Sequence, residues 1–162
     1  MADPTSLLLK DKGGEMVDSI DRDARSAVMS RVKSKDTRPE MVVRKLVFAA
    51  GYRYRLHVRS LPGSPDLVFS ARKKVIFVHG CFWHRHENCS LARLPKSRVE
   101  FWTEKLDGNK ARDEHSREAL TQAGWEVLVV WKCELKHRDQ LDKRIRSFLG
   151  SVTHSQTGSE KP

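Results

Sequence analysis

The chain has 162 residues, room for one domain around one core, and its 31 Lys and Arg against 21 Asp and Glu leave a net charge of +10. That excess favours a polyanion as partner, nucleic acid first and an anionic membrane surface as the rival. No apolar run nears the roughly 20 residues that span a bilayer, and TSLLLKDKGG meets charge too soon for a signal peptide, so a cytoplasmic protein is expected.

Residues 1–20 carry Gly13-Gly14 and no sustained period, and 151–162 are small and polar, so both read as tails around a domain at 21–150. No internal repeat is present. The stretch DTRPEMVVRKLVFAAG is punctuated as a helix: Thr37 with Glu40 three residues on, Pro39 in the first turn, Gly51 as the stop. Met41, Val42, Leu46, Phe48, Ala49 and Ala50 supply its apolar face. YRYRLHV then alternates Tyr52, Tyr54 and Leu56 against Arg53, Arg55 and His57, which predicts a half-buried strand with a basic outer face. RSLPGSP is a loop.

DLVFS and VIFVHG are apolar strands joined by ARKK. A tight hairpin centred between Arg72 and Lys73 would place Asp66 opposite His79. A helix capped at Ser97 with Glu100 carries Phe101, Trp102, Leu106, Ala119 and Leu120 to Gly124, with a kink or break expected at Gly108. WEVLVVWKC predicts a central buried strand that brings Cys133 to the sheet end, and DQLDKRIRSFLG a last amphipathic helix ending at Gly150. The order α-β-β-β-α-β-α implies an α/β fold with a mixed sheet flanked by helices.

The chemistry concentrates in HGCFWHRHENC, residues 79–89, which holds three of the seven histidines and two of the three cysteines. An odd cysteine count argues against a disulfide framework. Cys81 and Cys89 flank His84 and His86, and Cys133 can join them from a distant strand, a thiolate and imidazole set that suits tetrahedral zinc. Buried thiols with solvated histidines are the plainer alternative. Three cysteines need only one histidine: His86, nearer Cys89, is the expected ligand, and His84 is left beside the sheet end. Asp66, a lone carboxylate at a strand start after a rigid turn, suits magnesium with neighbouring backbone carbonyls, or simply caps the turn. Proline–aspartate before a hairpin strand is the first half of a nuclease signature, whose usual second acid and lysine are here replaced within Phe77-Val78-His79.

Through MSRVKSKDTRPE, SLPGSPDLVF, VIFVHGCFWHRHENC, RVEFWTEKLDGNKARD and GWEVLVVWKCEL, over roughly residues 22–138, the chain resembles the very short patch repair (Vsr) endonucleases. The resemblance implies a restriction-endonuclease-like core and a magnesium-dependent enzyme that nicks one strand of double-stranded DNA at a T·G mismatch left by 5-methylcytosine deamination. It implies Asp66 as the magnesium ligand with the backbone carbonyl of Val78, His84 as general acid or base oriented by Asp113, and His79 and Glu40 acting on the phosphate and the waters around the metal. It also implies a structural zinc on Cys81, His86, Cys89 and Cys133.

Phe82 and Trp83 would form a wedge that opens the base stack, and on that reading both are exposed in the free protein. Trp102 either joins the wedge or packs in the core. By the same resemblance Lys105 and Asn109 read the mismatch, while an arm at 21–38 with Arg22, Arg25, Met29, Arg31 and Lys33 embraces the duplex, although that stretch also reads as a solvated helix face. The family departs here at Val78, usually threonine, and in the loop before Cys89, one residue longer. A restriction-type nuclease on intact sites and a zinc-stabilised DNA-binding module without chemistry are the alternatives. Mismatch-repair proteins are candidate partners, a one-strand cut needs only a monomer, and the expected place is a bacterial cytoplasm, at the nucleoid.

Overall fold

The structure, a computed structural model, describes residues 35–152. In chain order it contains α1 (Arg38–Ala49), β1 (Arg55–Leu56), β2 (Leu67–Phe69), β3 (Lys74–His79), α2 (Val99–Gln122), β4 (Glu126–Trp131) and α3 (Arg138–Leu149). The four strands form one sheet in the order β1-β2-β3-β4, antiparallel except for the parallel pair β3–β4 that α2 connects. The fold is α/β with a mixed sheet between helices. Among the described residues no helix is long and apolar enough to cross a membrane.

The period of two along each strand sorts side chains onto two faces. Leu67, Phe69, Ile76, Leu128 and Val130 face α1 and α3, where Val43, Val47, Leu141, Ile145 and Leu149 complete the larger core. Val68, Val75 and Phe77 face the other way and pack with Leu120 of α2. A third cluster, Phe82, Trp102 and Leu106, ties the first half of α2 to the loop after β3.

Local signals explain the ends of the elements. Thr37 accepts the Glu40 N–H at 3.4 Å and its hydroxyl donates to the Glu40 carboxylate at 2.8 Å, so the cap of α1 forms where Thr37 and Glu40 predict it. Gly51, at φ 92°, turns the chain after α1. The last carbonyls of α3 and those just beyond it are taken by cationic and phenolic donors. Lys74 Nζ reaches Phe148 O at 2.6 Å, Arg72 reaches Leu149 O at 2.9 Å and Ser151 O at 2.8 Å, and Tyr52 OH reaches Gly150 O at 2.6 Å. The basic link between β2 and β3 is thus the anchor of the last helix.

Several expectations are corrected. The buried stripe of α1 is Glu40, Val43, Arg44 and Val47, whereas Met41 and Phe48 are exposed, Phe48 by 57%. The strand expected over 52–58 shrinks to two exposed residues because His57 adopts φ 45°, which breaks the alternation, leaves Leu56 outside and turns His57 inward. The β2–β3 hairpin pairs Leu67 with Ile76 and Phe69 with Lys74, so Asp66 falls level with Phe77 rather than His79. A 3-10 turn at Ser70–Arg72 closed by left-handed Lys73 moves its centre by one residue and each pair by two, which keeps every side chain on its face. The N-cap of α2 is Arg98 with no side-chain capping bond, not Ser97, and the helix runs unbroken through Gly108. Gly108 is exposed, and an added Cβ there would meet nothing. Finally, β4 lies at the sheet edge instead of the centre, and Cys133 follows it in a 3-10 turn, Lys132–Lys136.

Candidate active site and cysteine cluster

One face of α2, read every three to four residues, holds the loop after β3 in place. Trp102 packs edge-on against Phe82 at 5.4 Å, Asn109 Nδ2 donates to Trp83 O at 3.0 Å, and Asp113 Oδ2 meets His84 Nδ1 at 2.5 Å. A turn further along, Ser116 abuts Gly63, where an added Cβ would come within 2.9 Å of it. The SLPGSP loop is therefore pressed on the same helix, and it delivers Asp66 to the start of β2.

His79 continues the row of Val75 and Phe77 that looks toward α2, and Asp66 lies just before β2. Asp66 Oδ2 accepts the Val78 N–H at 2.7 Å. No other hydrogen bond reaches its carboxylate among the described residues, and burial first, with the nearby Glu40 charge, pushes its pKa up to about 6. His79 ends β3 with its ring stacked on that of His84, centroids 3.8 Å apart and 8° from parallel, and its edge toward Trp131. Burial and then the neighbouring His84 lower the His79 pKa to about 3, so this ring is neutral. Because Asp113 holds Nδ1 of His84, Nε2 is the nitrogen left to act.

Glu40 lies buried on α1 and reaches this group through residues that sequence reasoning missed. Arg44, one turn on, bonds Glu40 at 3.0 Å, Asp36 at 2.6 Å and His57 Nε2 at 2.9 Å. His57 in turn lies 3.7 Å from Glu40 and, through Nδ1, 3.8 Å from Asp66 Oδ1. Asp36, Glu40 and His57 have the spacing of a metal site, but the Arg44 guanidinium already bonds all three. The Glu40–Arg44 pair is legible as an i,i+4 ion pair. Nothing in an alternating strand signals that His57 turns inward.

The other residues of the loop build a second cluster. Donor atoms of Cys81, His86, Cys89 and Cys133 all lie within 4.8 Å of one another, with His86 Nδ1 at 3.4 Å from Cys133 Sγ. His86 is stacked on Trp131 at 4.1 Å, and its N–H bonds Cys81 O at 2.9 Å. His84 is turned to Asp113 instead. Burial, ahead of the neighbouring thiols, pushes the Cys81 pKa up to about 12. A set of three soft thiols and one imidazole at this spacing fits a tetrahedral soft cation, whose charge would reverse that penalty.

The aromatic residues are not arranged as exposure of the loop predicts. Phe82 is 3% and Trp102 1% exposed, and Trp83 is half-buried, which corrects the expectation that Phe82 and Trp83 both stand exposed. The three rings contact one another edge to face at 5.1–6.2 Å. Trp102 Nε1 is buried with no hydrogen-bond partner among the described residues. Lys105 is exposed and lies over Phe101, 5.8 Å from its centroid, and Asn109 holds the Trp83 carbonyl. Arg22, Arg25, Met29, Arg31 and Lys33 lie outside the described residues.

The chain is similar in sequence to known DNA endonucleases. The family model described as DNA mismatch endonuclease Vsr matches residues 17–91. The type II nicking enzyme V.XorIIP of Xanthomonas oryzae pv. oryzae is 48% identical over 134 residues, 83% of this chain and 98% of that protein. The type II nicking enzyme V.NmeAIP of Neisseria meningitidis is 41% identical, over 85% of this chain and all of the relative. The DNA mismatch endonuclease Vsr of Escherichia coli K12 is 41% identical over 126 residues, 78% of this chain and 80% of that protein.

Proposed function

Because the chain belongs to the Vsr family of DNA endonucleases, we propose that it nicks one strand beside the T of a T·G mismatch by magnesium-dependent phosphodiester hydrolysis, starting very short patch repair. The observation that carries the reading is the juxtaposition, along one face of α2, of an acid–base pair, His84–Asp113, with a cluster of three large aromatic rings. Chemistry and stack-opening groups share one support.

Asp66 fits a hard cation: one oxygen is fixed by Val78 N–H, and burial, with the nearby Glu40 charge, pushes the half-buried carboxylate up to about 6, a cost that a bound cation would offset. The backbone carbonyl of Val78 would complete the holding group. Bound magnesium would neutralise charge developing on the scissile phosphate and the leaving oxygen. His84 Nε2 takes the proton of the attacking water as the new phosphorus–oxygen bond forms, and Asp113 steadies the imidazolium through Nδ1. His79, neutral and stacked on His84, fixes the plane in which that ring works and offers a hydrogen bond to the phosphate. Glu40 acts from behind through His57 on the waters and phosphate around Asp66.

Cys81, His86, Cys89 and Cys133 are the residues that would hold a structural zinc, and a zinc there would fasten the loop to the end of β4. Trp83 leads the wedge and Phe82 with Trp102 back it from the core, and a mismatched step is cheaper to open than a paired one. Lys105 and Asn109 read the mismatch, and the arm with Arg22, Arg25, Met29, Arg31 and Lys33 grips phosphates of the duplex. The domain runs over 21–150 on a restriction-endonuclease-like core, works as a monomer in the bacterial cytoplasm, and hands its nick to mismatch-repair proteins.

The names of two relatives as type II nicking enzymes favour a second reading, nicking tied to a restriction and modification system. One assay separates them: end-labelled duplexes, T·G against matched, with and without added Mg2+. Nicking of only the T-bearing strand, and only with Mg2+, is the expected result. Equal rates on matched DNA would overturn mismatch specificity, and full activity without Mg2+ the role of Asp66.

A further inference from the structure

We propose that His57 is a positioning residue that ties the buried Arg44–Glu40 pair to Asp66 and holds that carboxylate ready for a divalent cation. The inference deepens the reading of Asp66 as the magnesium ligand and rests on it. The geometry starts at Arg44. A guanidinium has only donors, so the 2.9 Å contact between Arg44 and His57 Nε2 makes Nε2 the acceptor and puts the ring proton on Nδ1. That nitrogen is the one that faces Asp66 Oδ1, at 3.8 Å, an electrostatic contact that a small closure turns into a hydrogen bond. The other carboxylate oxygen is already held by Val78 N–H. Once the His57 contact closes, the two contacts together would fix the Asp66 plane and leave its remaining lone pairs for a cation.

Two features argue that the arrangement is built. His57 adopts a left-handed φ of 45°, unfavourable for a side chain with a Cβ, and this is what turns it from the outer face of the strand to a half-buried position between Glu40 and Asp66. Arg44 is itself buried, and although its Nε has no hydrogen-bond partner among the described residues, its two terminal nitrogens bond two carboxylates and this imidazole, which holds the ring in place. His57 lies on the α1 side of Asp66, away from the His79–His84 stack. Among the described residues no hydrogen bond, ion pair or ring contact joins it to either histidine, so it has no part in the proton transfer at His84.

The test is Mn2+ binding, read by electron paramagnetic resonance, to the protein bound to a T·G duplex with an uncleavable linkage at the nick position. His57→Ala should weaken Mn2+ binding about 10–100-fold, the usual effect of losing a group that orients a ligand, with a matching fall in kcat on cleavable DNA and an unchanged KM for the duplex. His57→Asn, whose amide N–H takes the place of Nδ1, should restore most of that binding. His57→Gln, whose longer side chain carries its amide to the place of Nε2 rather than that of Nδ1, should not. Unchanged Mn2+ binding in His57→Ala, or equal rescue by Asn and Gln, would overturn the assignment. If His57→Ala does not fold, the Asn and Gln pair decides alone. Asp66→Ala is the control: unaltered Mn2+ binding there overturns the metal reading itself, whereas a loss there with none at His57 overturns only this inference.

Discussion

The loop from His79 to Cys89 feeds two clusters with different chemistry, and the contrast shows how one short segment serves both. His79 and His84 go to a site with a carboxylate partner, Asp113, and with a second carboxylate, Asp66, close by. Cys81, His86 and Cys89 go to a site closed by Cys133. Neither histidine pair differs in residue type. What separates His84 from His86 is the partner of Nδ1: a carboxylate in one, a thiol in the other, with the ring of His86 further fixed on Trp131. The first site leaves Nε2 of His84 for chemistry, while the second turns one donor atom of each of its four residues toward the others.

The sharpest way to break that contrast is to remove one member from each side. Asp66→Ala and His84→Ala should lower nicking by about 10²–10⁴-fold, the range for a lost acid–base group, while binding of the T·G duplex, zinc content and melting temperature stay near those of the parent. Zinc loss in His84→Ala would move that histidine into the cysteine cluster. Cys133→Ser should do the reverse. Zinc and thermal stability should fall together, by more than about 2 kcal/mol, because a metal site of this kind exists only in the folded state. A well-folded Cys133→Ser protein with stoichiometric zinc would defeat the structural assignment.

How much of this was legible depends on the range of the signal. The Thr37–Glu40 cap, the Gly51 and Gly150 stops, and the apolar runs of β2, β3 and β4 are local, and each marks an element that forms. The hairpin was legible but its register was not, since Ser70–Lys73 allows two turn centres that keep the same faces. The position of β4 at the edge depends on how the sheet closes, which no window of sequence contains. In the site, chain position alone separates His86 from His84, yet His57 is invisible because a single left-handed residue reverses its direction. Trp102 reads equally as surface or core, and Phe82 reads as surface. Leu106 and the facing rings decide it, and those contacts are made between segments about twenty residues apart.

The aromatic cluster gives a smaller and more selective comparison. Phe82 and Trp102 are buried and Trp83 is not fully so, so truncations should separate folding from recognition. Trp102→Ala should cost about 3–5 kcal/mol of stability, the range for a large core aromatic. Trp83→Ala should cost much less stability but weaken T·G binding by roughly 1–3 kcal/mol, the scale of a base–aromatic stack, with a smaller loss on matched DNA held through phosphates. Melting curves and affinities at one fixed salt concentration check both. Equal weakening on matched and mismatched DNA would show that Trp83 does not select by entering the stack.

The smallest effect concerns protons, and it sets the two buried titrating groups of the site against each other. His79 has its pKa lowered from 6.5 to about 3, so between those values the unfolded chain binds a proton that the folded protein refuses, and stability falls as pH drops through 6.5. Asp66 has its pKa raised from 3.8 to about 6, so between about 6 and 3.8 the folded protein binds the extra proton, and stability rises as pH drops. The two slopes oppose each other, and from pH 7.5 to 5 the His79 term alone is at most roughly 2 kcal/mol at 1.36 kcal/mol per pKa unit. His79→Asn removes that loss and leaves the Asp66 gain. Without added magnesium, the variant should lose less stability than the parent between pH 7.5 and pH 5, whereas Asp66→Asn should lose more. Chemical denaturation at the two pH values measures both, and a parent and His79→Asn protein with the same pH slope would show that the buried ring next to His84 does not carry the cost assigned to it.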